Sequence, residues 1–255
     1  MATEAGRVYV DILTPLPLSA REDGERILNL WEKHLPDCLP DRYGNWEPID
    51  QVFDPRQRDT VLNHWQWPFL AERHRPKMEA SVWMRKGKKP LHASWKFAFN
   101  FGEVSAEALR DFLRAASVEL MADFSCITLL TQSEIDFGRL NRTAWNLDKR
   151  ATRFDFAIYS QFLQKCIPDL YWVTVFGAPY VEMFGKSKLL SAPVYKAEAL
   201  SDDIVLLQLT PSLEAVQDAG VFGGKKAVVK EYLGEEAFYK VGNLGTARHP
   251  AFVWH

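Results

Sequence analysis

The run Leu91–Phe101 constrains this chain more than any other. Ala93, Trp95, Phe97, Phe99 and Phe101 alternate there with Ser94, Lys96 and Asn100. A period of two sends successive side chains to opposite faces of a strand, so one face must be buried beneath large aromatic surface. An isolated strand or hairpin cannot supply that burial; a sheet with something packed on it can. Arg7–Thr14 repeats the pattern, with Val8, Val10 and Ile12 on one face. Met78–Arg85 and Phe124–Thr131 read as further strands. Lys86-Gly-Lys-Lys-Pro90 is predicted to join Met78–Arg85 to Leu91–Phe101 as a basic hairpin loop.

Helical spacing appears between these strands. Ser19-Ala-Arg-Glu22 has the spacing of a capping box ahead of Ile27, Leu30, Trp31 and Leu35, which predicts a helix from Ala20 to His34. Ser105 is placed to cap a helix through Met121, with Leu109, Phe112, Leu113, Ala116 and Leu120 on one face. Arg58–His74 reads as helical in part, kinked or divided at Pro68. Pro36–Pro55 reads as a long loop that is either tucked against the core or displayed, with its aromatics Tyr43 and Trp46. Arg139–Arg153 reads as a basic surface segment, followed by Phe154–Tyr159 and a short helix at Gln161–Lys165.

Leu170–Tyr195 organises the second half. Tyr171–Phe176 reads as a buried strand that Gly177 and Pro179 break; Val181–Phe184 reads as a helical turn that Gly185 ends. Val194–Ala199 and Ile204–Leu209 read as antiparallel strands joined at Ser201-Asp-Asp203, and Val221–Tyr239 as holding a further helix. Strands and helices come in runs without βαβα alternation, so the expected class is α+β: an antiparallel or mixed sheet with helices packed against it. One domain over residues 1–255 is expected, with a subdomain division near 132–153 as the variant.

Composition excludes several classes. Nine Trp and 16 Phe within 47% hydrophobic residues argue for a packed core and against disorder. A net charge of −2 gives no general attraction to nucleic acid or anionic lipid. No apolar run reaches the ~20 residues of a membrane span, and the acid-bearing N-terminal residues carry no secretory pattern. Cys38, Cys126 and Cys166 are widely spaced and odd in number, which argues against a disulfide framework. A protein of a reducing cytoplasm is expected.

Motifs for chemistry are absent. Ala219-Gly-Val-Phe-Gly-Gly-Lys225-Lys226 has Ala where a phosphate loop needs Gly, and Lys where it needs Ser or Thr. The histidines His34, His64, His74, His92, His249 and His255 include no zinc-protease pair, and His64 and His74 could share a site only if Pro68 bent the chain favourably. They read as polar surface or capping residues. No Gly-x-Ser-x-Gly elbow is present, and Cys126 sits in an apolar strand where a thiol is inert. No catalytic, cofactor or metal residue is therefore expected. One charge bias stands out: Ala197–Asp218 holds Glu198, Asp202, Asp203, Glu214 and Asp218 with no Lys or Arg. This is either a solvated edge or an acidic face for a basic partner.

Trp172-Val-Thr-Val-Phe-Gly-Ala-Pro-Tyr180-Val-Glu-Met-Phe-Gly185, followed by Leu189-Leu-Ser-Ala-Pro193, resembles the signature of bacterial immunity proteins of the immunity protein 52 family. Tyr43-Gly-Asn-Trp46 and Trp65-Gln-Trp-Pro68 fit the same pattern, and the resemblance runs from about Val8 to Leu209. It implies an α+β, cytoplasmic, non-catalytic antitoxin of a type VI secretion effector–immunity pair. Its partner would be a cognate toxin, often one with a restriction-endonuclease-like nuclease fold. The family supplies no catalytic residue to carry over. Candidate partner-binding residues are Asp202, Asp203, Glu214, Asp218, Tyr43, Trp46, Trp65 and Trp67. The competing readings are a small-molecule enzyme with a Trp-lined pocket and a nucleic-acid-binding module using the basic hairpin loop. The sequence leaves the oligomeric state open.

Overall fold

In the computed structural model, residues 6–87, 91–131, 158–240 and 247–254 are described. One ten-stranded sheet runs through them. Its strands are β1 (Gly6–Thr14), β2 (Arg42–Gly44), β3 (Gln51–Val52), β4 (Phe69–Arg73), β5 (Met78–Trp83), β6 (Ala93–Asn100), β7 (Phe124–Thr131), β8 (Val173–Phe176), β9 (Lys196–Ala199) and β10 (Val205–Gln208). They lie in the order β3-β2-β4-β5-β6-β1-β7-β8-β10-β9, and every neighbouring pair is antiparallel. The helices are α1 (Arg21–His34), α2 (Arg58–Asn63), α3 (Ala106–Glu119), α4 (Ser160–Leu163), α5 (Ala178–Phe184), α6 (Lys186–Leu190) and α7 (Ala219–Leu233), with short 3₁₀ turns between elements. The architecture is α+β.

Side-chain alternation sorts two cores onto the two faces of the sheet. Val8, Val10 and Ile12 of β1, Trp95, Phe97 and Phe99 of β6, and Ile127 and Leu129 of β7 face α1 and α3, which contribute Ile27, Trp31, Leu109, Phe112 and Leu113. Trp31 meets Trp95 edge-on at 5.7 Å and Phe97 at 5.1 Å, while Phe112 closes on the same two rings at 5.0 and 5.3 Å. Such pairs are worth ~0.5–1.5 kcal/mol each beyond their area burial. The opposite face of the β7-β8-β10 half carries Phe124, Cys126, Phe176, Val205 and Leu207 beneath Leu163, Tyr180, Leu189, Phe222, Val229 and Leu233. A sheet with helices on both faces of one half results.

Several expectations shift in detail. α1 is capped one residue later than the predicted box: Ala20 is the N-cap, and the Asp23 carboxylate accepts from its N–H at 3.0 Å. Ser105 caps α3 as its spacing predicted, accepting from the Ala108 N–H. Pro68 divides Arg58–His74 into helix α2 and strand β4, so the second part is extended rather than helical. Pro36–Pro55 is a folded edge hairpin, β2–β3, that pairs with β4. The glycines of the phosphate-loop lookalike lie inside α7, whose first turn is capped by Asp218 accepting from the Val221 N–H. The basic segment Arg139–Arg153, the proposed subdomain division and most of the basic hairpin loop lie outside the described residues.

Candidate functional site

The β2–β3 hairpin displays one large aromatic ring to solvent. Trp46 is 72% exposed. The residue before it, Asn45, anchors the loop: its side-chain amide donates to the carbonyls of His64 at 3.1 Å, Gln66 at 3.0 Å and Pro68 at 2.8 Å. Two of those carbonyls flank Trp67, so the Trp46 loop and the Trp67 segment are tied together at one end of the sheet. Trp67 is half-buried; it meets Trp83 edge-on at 5.5 Å, and the Lys86 ammonium lies 3.8 Å from its ring centroid. Trp83 is 36% exposed, with its indole N–H held by Ser81 Oγ at 2.9 Å. Val52 on the edge strand is also exposed. The result is an aromatic surface on a loop whose backbone is fixed before any partner arrives.

The other aromatic candidates lie inside. Tyr43 is buried, stacked on Phe69 at 5.7 Å and edge-on to Phe53 at 6.3 Å. Trp65 is buried against Phe69, and its N–H donates to the Leu18 carbonyl at 3.0 Å. Both are structural supports of the hairpin and are not available to a partner; β-pairing turns Tyr43 inward while the tight turn throws Trp46 outward.

The acidic run separates into used and unused carboxylates. Glu198 is half-buried and accepts from Arg114 of α3 and from Lys196 at 2.8 Å. Asp218 is committed to the α7 cap. Asp202 is exposed and lies 3.5 Å from Lys186, Asp203 accepts from the Ser201 hydroxyl at 2.9 Å, and Glu214 is exposed. Asp202, Asp203, Glu214 and Asp218 are exposed and keep their charge for long-range electrostatics, whereas Glu198 is half-buried between Arg114 and Lys196.

Burial makes the thiols poor nucleophiles. It pushes Cys126 well above the usual range, and Cys38 and Cys166 each to about 11. No group of three or more His, Cys, Asp or Glu able to hold a metal occurs among the described residues, and no described helix is long and apolar enough to cross a membrane. His64 is half-buried beside Tyr43, with Nδ1 2.9 Å from the Thr60 carbonyl. The His74 amide is instead held by Asp41.

The structure also assembles a polar chain that no spacing announces. His92 is buried, not a surface residue: its Nδ1 is 2.6 Å from Ser160 Oγ and its Nε2 is 3.0 Å from Asp123 Oδ2. These residues stand 68 and 31 positions from His92: pairing of β1 with β6 and β7 brings the starts of β6 and β7, and so His92 and Asp123, together, and Ser160 arrives from the first residue of α4.

No protein-family model matches the chain, and no curated protein matches it. The resemblance in Trp172–Pro193 therefore stands on those residues alone. Among solved structures, one of related shape is described as "Pseudomonas aeruginosa T6SS protein PA0821". It superposes over 98% of this chain and 79% of that chain, at 11% identity and a TM-score of 0.49. A likeness at that level bears on neither activity nor partner.

Proposed function

We propose that this chain is the immunity protein of a type VI secretion effector–immunity pair. In this reading it acts in the cytoplasm and neutralises a cognate toxin of the nuclease class by binding it rather than by chemically altering it. The sequence signature at Trp172–Pro193 supports the family, and the display of Trp46 carries the mechanism. A tryptophan held 72% exposed on a loop pinned by the Asn45 amide, whose two N–H groups are shared among three carbonyls, costs solvation in the free protein. It returns that cost when a partner covers it. Interface energy concentrates in such rigid aromatic anchors, where truncation to Ala costs ~2 kcal/mol or more. Because the loop is fixed beforehand, little ordering entropy opposes docking.

Charge gives a second contribution. A nuclease cleft is lined with Lys and Arg to hold a polyanion. Asp202, Asp203, Glu214 and Asp218 would steer such a cleft toward this protein, raising association rate more than affinity.

The test is co-expression with the product of the adjacent open reading frame. Cells carrying that product should survive with this protein and die without it, and the two chains should co-purify. Trp46→Ala should weaken protection while leaving the fold intact. An adjacent product that is harmless alone, or that does not co-purify with this chain, would refute the reading.

A further inference from the structure

We propose that Ser160, His92 and Asp123 form an acyl-transfer site, closed by the C-terminal tail, that accepts small carboxylic esters with an apolar acyl group. The site does not rest on the toxin-binding reading and shares no residue with the Trp46 surface.

The three side chains form one hydrogen-bonded chain. The His92 main-chain N–H donates to Ser160 Oγ at 2.8 Å, which fixes the hydroxyl's position. Nδ1 lies 2.6 Å from that oxygen and Nε2 3.0 Å from the Asp123 carboxylate, so in the neutral Nε2–H tautomer Nδ1 is the acceptor that faces the hydroxyl. This is the nucleophile–base–orienter order that acyl-transfer chemistry requires. All three side chains are nearly sealed from water; Ser160 is 7% exposed.

The sequence signature of the second half builds the surroundings. The Gly177 N–H donates to the Asp123 carbonyl at 2.9 Å. A Cβ at Gly177 would lie 2.1 Å from the Ala122 carbonyl oxygen and 2.8 Å from Asp123 Cα, so only glycine permits this approach. Three residues on, Tyr180 is fully buried and its hydroxyl has no hydrogen-bond partner among the described residues. Asp123 is close enough to Tyr180 to add to the burial that raises its pKa. A sealed donor left unpaired is a cost that a bound polar atom would remove.

The cover is apolar and lightly attached. Phe252 and Trp254 each lie 4.8 Å from the His92 ring centroid, and Phe252 lies 5.9 Å from Tyr180. No hydrogen bond holds Ala251–Trp254 among the described residues. Ring packing on His92 and Tyr180 is what retains this segment, and a segment held without hydrogen bonds opens at low free-energy cost. Swinging the tail out would uncover the His92 and Tyr180 rings on which it packs.

In the reaction, Ser160 Oγ bonds to the ester carbonyl carbon as its proton passes to His92 Nδ1, and Asp123 stabilises the imidazolium. The carbon–alkoxy bond breaks, and the leaving alcohol takes the proton from Nδ1. Water then repeats the sequence on the acyl-serine, releasing the acid and restoring the hydroxyl. The balance is ester plus water to acid plus alcohol, with no further reactant.

The experiment treats the full chain with a fluorophosphonate probe and with p-nitrophenyl butyrate. Mass spectrometry of the digested protein should place the phosphonyl adduct on Ser160. Ser160→Ala should abolish both labelling and ester cleavage while keeping toxin protection. Asp123→Asn should slow labelling by about a hundredfold or more, the lower end of what positioned general acid–base catalysis contributes. The paired change Phe252→Ala and Trp254→Ala should speed labelling several-fold. If the wild-type chain and the tail variant both stay unlabelled while folded by near-ultraviolet circular dichroism, the proposal is wrong. An adduct on any residue other than Ser160 would equally overturn it.

Discussion

Replacing Lys96 with Met should cost ~3–5 kcal/mol at neutral pH, because it strands a buried carboxylate. Asp11 on β1 and Lys96 on β6 face each other in register, both buried in the middle of the sheet. The Lys96 ammonium donates to Asp11 Oδ2 at 3.0 Å and to the Ile158 carbonyl at 3.2 Å, and the Ile158 N–H donates to the same Asp11 oxygen at 3.0 Å. The other oxygen, Oδ1, has no partner among the described residues. Burial raises the Asp11 pKa, and Lys96 with the Ile158 N–H lowers it only in part. The folded state therefore holds the Asp11 proton more tightly than the unfolded chain does. The stability this contributes is present in full below the unfolded Asp value of ~3.9 and is lost as pH rises through the folded value. Removing Lys96 deletes the main opposing influence, so the folded value rises further and the loss at pH 7 deepens. The penalty in Lys96→Met should shrink toward acid pH by at most ~1.4 kcal/mol per unit. Urea denaturation at several pH values between 5 and 8 measures it. The double variant Asp11→Asn with Lys96→Met keeps an acceptor for the Ile158 N–H, removes both charges, and should recover most of the loss. A single variant within ~1 kcal/mol of wild type, well below the cost of stranding a buried charge, would refute the argument. So would a penalty independent of pH.

Two further substitutions probe the signature stretch. Trp172→Ala removes a buried ring and an indole N–H bonded to the Thr210 carbonyl at 3.1 Å, and should cost ~3–5 kcal/mol in denaturant melts; an unchanged midpoint would show that the stretch is not core. Gly177→Ala should be at least as damaging, since its Cβ would overlap backbone atoms that cannot move independently; soluble, wild-type-like expression and melting would contradict the close approach.

Where the chain repeats a simple period over many residues, fold could be read from sequence. β1, β6, β7 and α3 were legible because each repeats an apolar face along its length, even though the polar faces of β1 and β6 turn out to be buried as well. β2, β3 and β4 were not, because they span only 3, 2 and 5 residues. Pairing with neighbours, rather than their own alternation, makes them strands. The same limit governs the site. Tyr43 and Trp46 stand three residues apart in one loop-like sequence, yet one is core and the other is displayed. The distinction lies in the Asn45 hydrogen bonds and the turn they fix, and neither residue type nor spacing encodes it. His92, Asp123 and Ser160 were missed for a related reason: sheet pairing and the packing of α4, not local sequence, make them neighbours. Their nearest local signal was Gly177 before Pro179 and Tyr180, which read as a chain break and proves to be a close approach to Asp123.

The central claim is that a toxin docks on the Trp46 surface, and calorimetric titration of the adjacent gene product into this protein tests it most directly. The wild-type chain should bind one-to-one, and Trp46→Ala should weaken binding by ~30-fold or more, the equivalent of a ~2 kcal/mol anchor. A folded Trp46→Ala variant that binds as tightly as wild type would place the interface elsewhere and contradict the account.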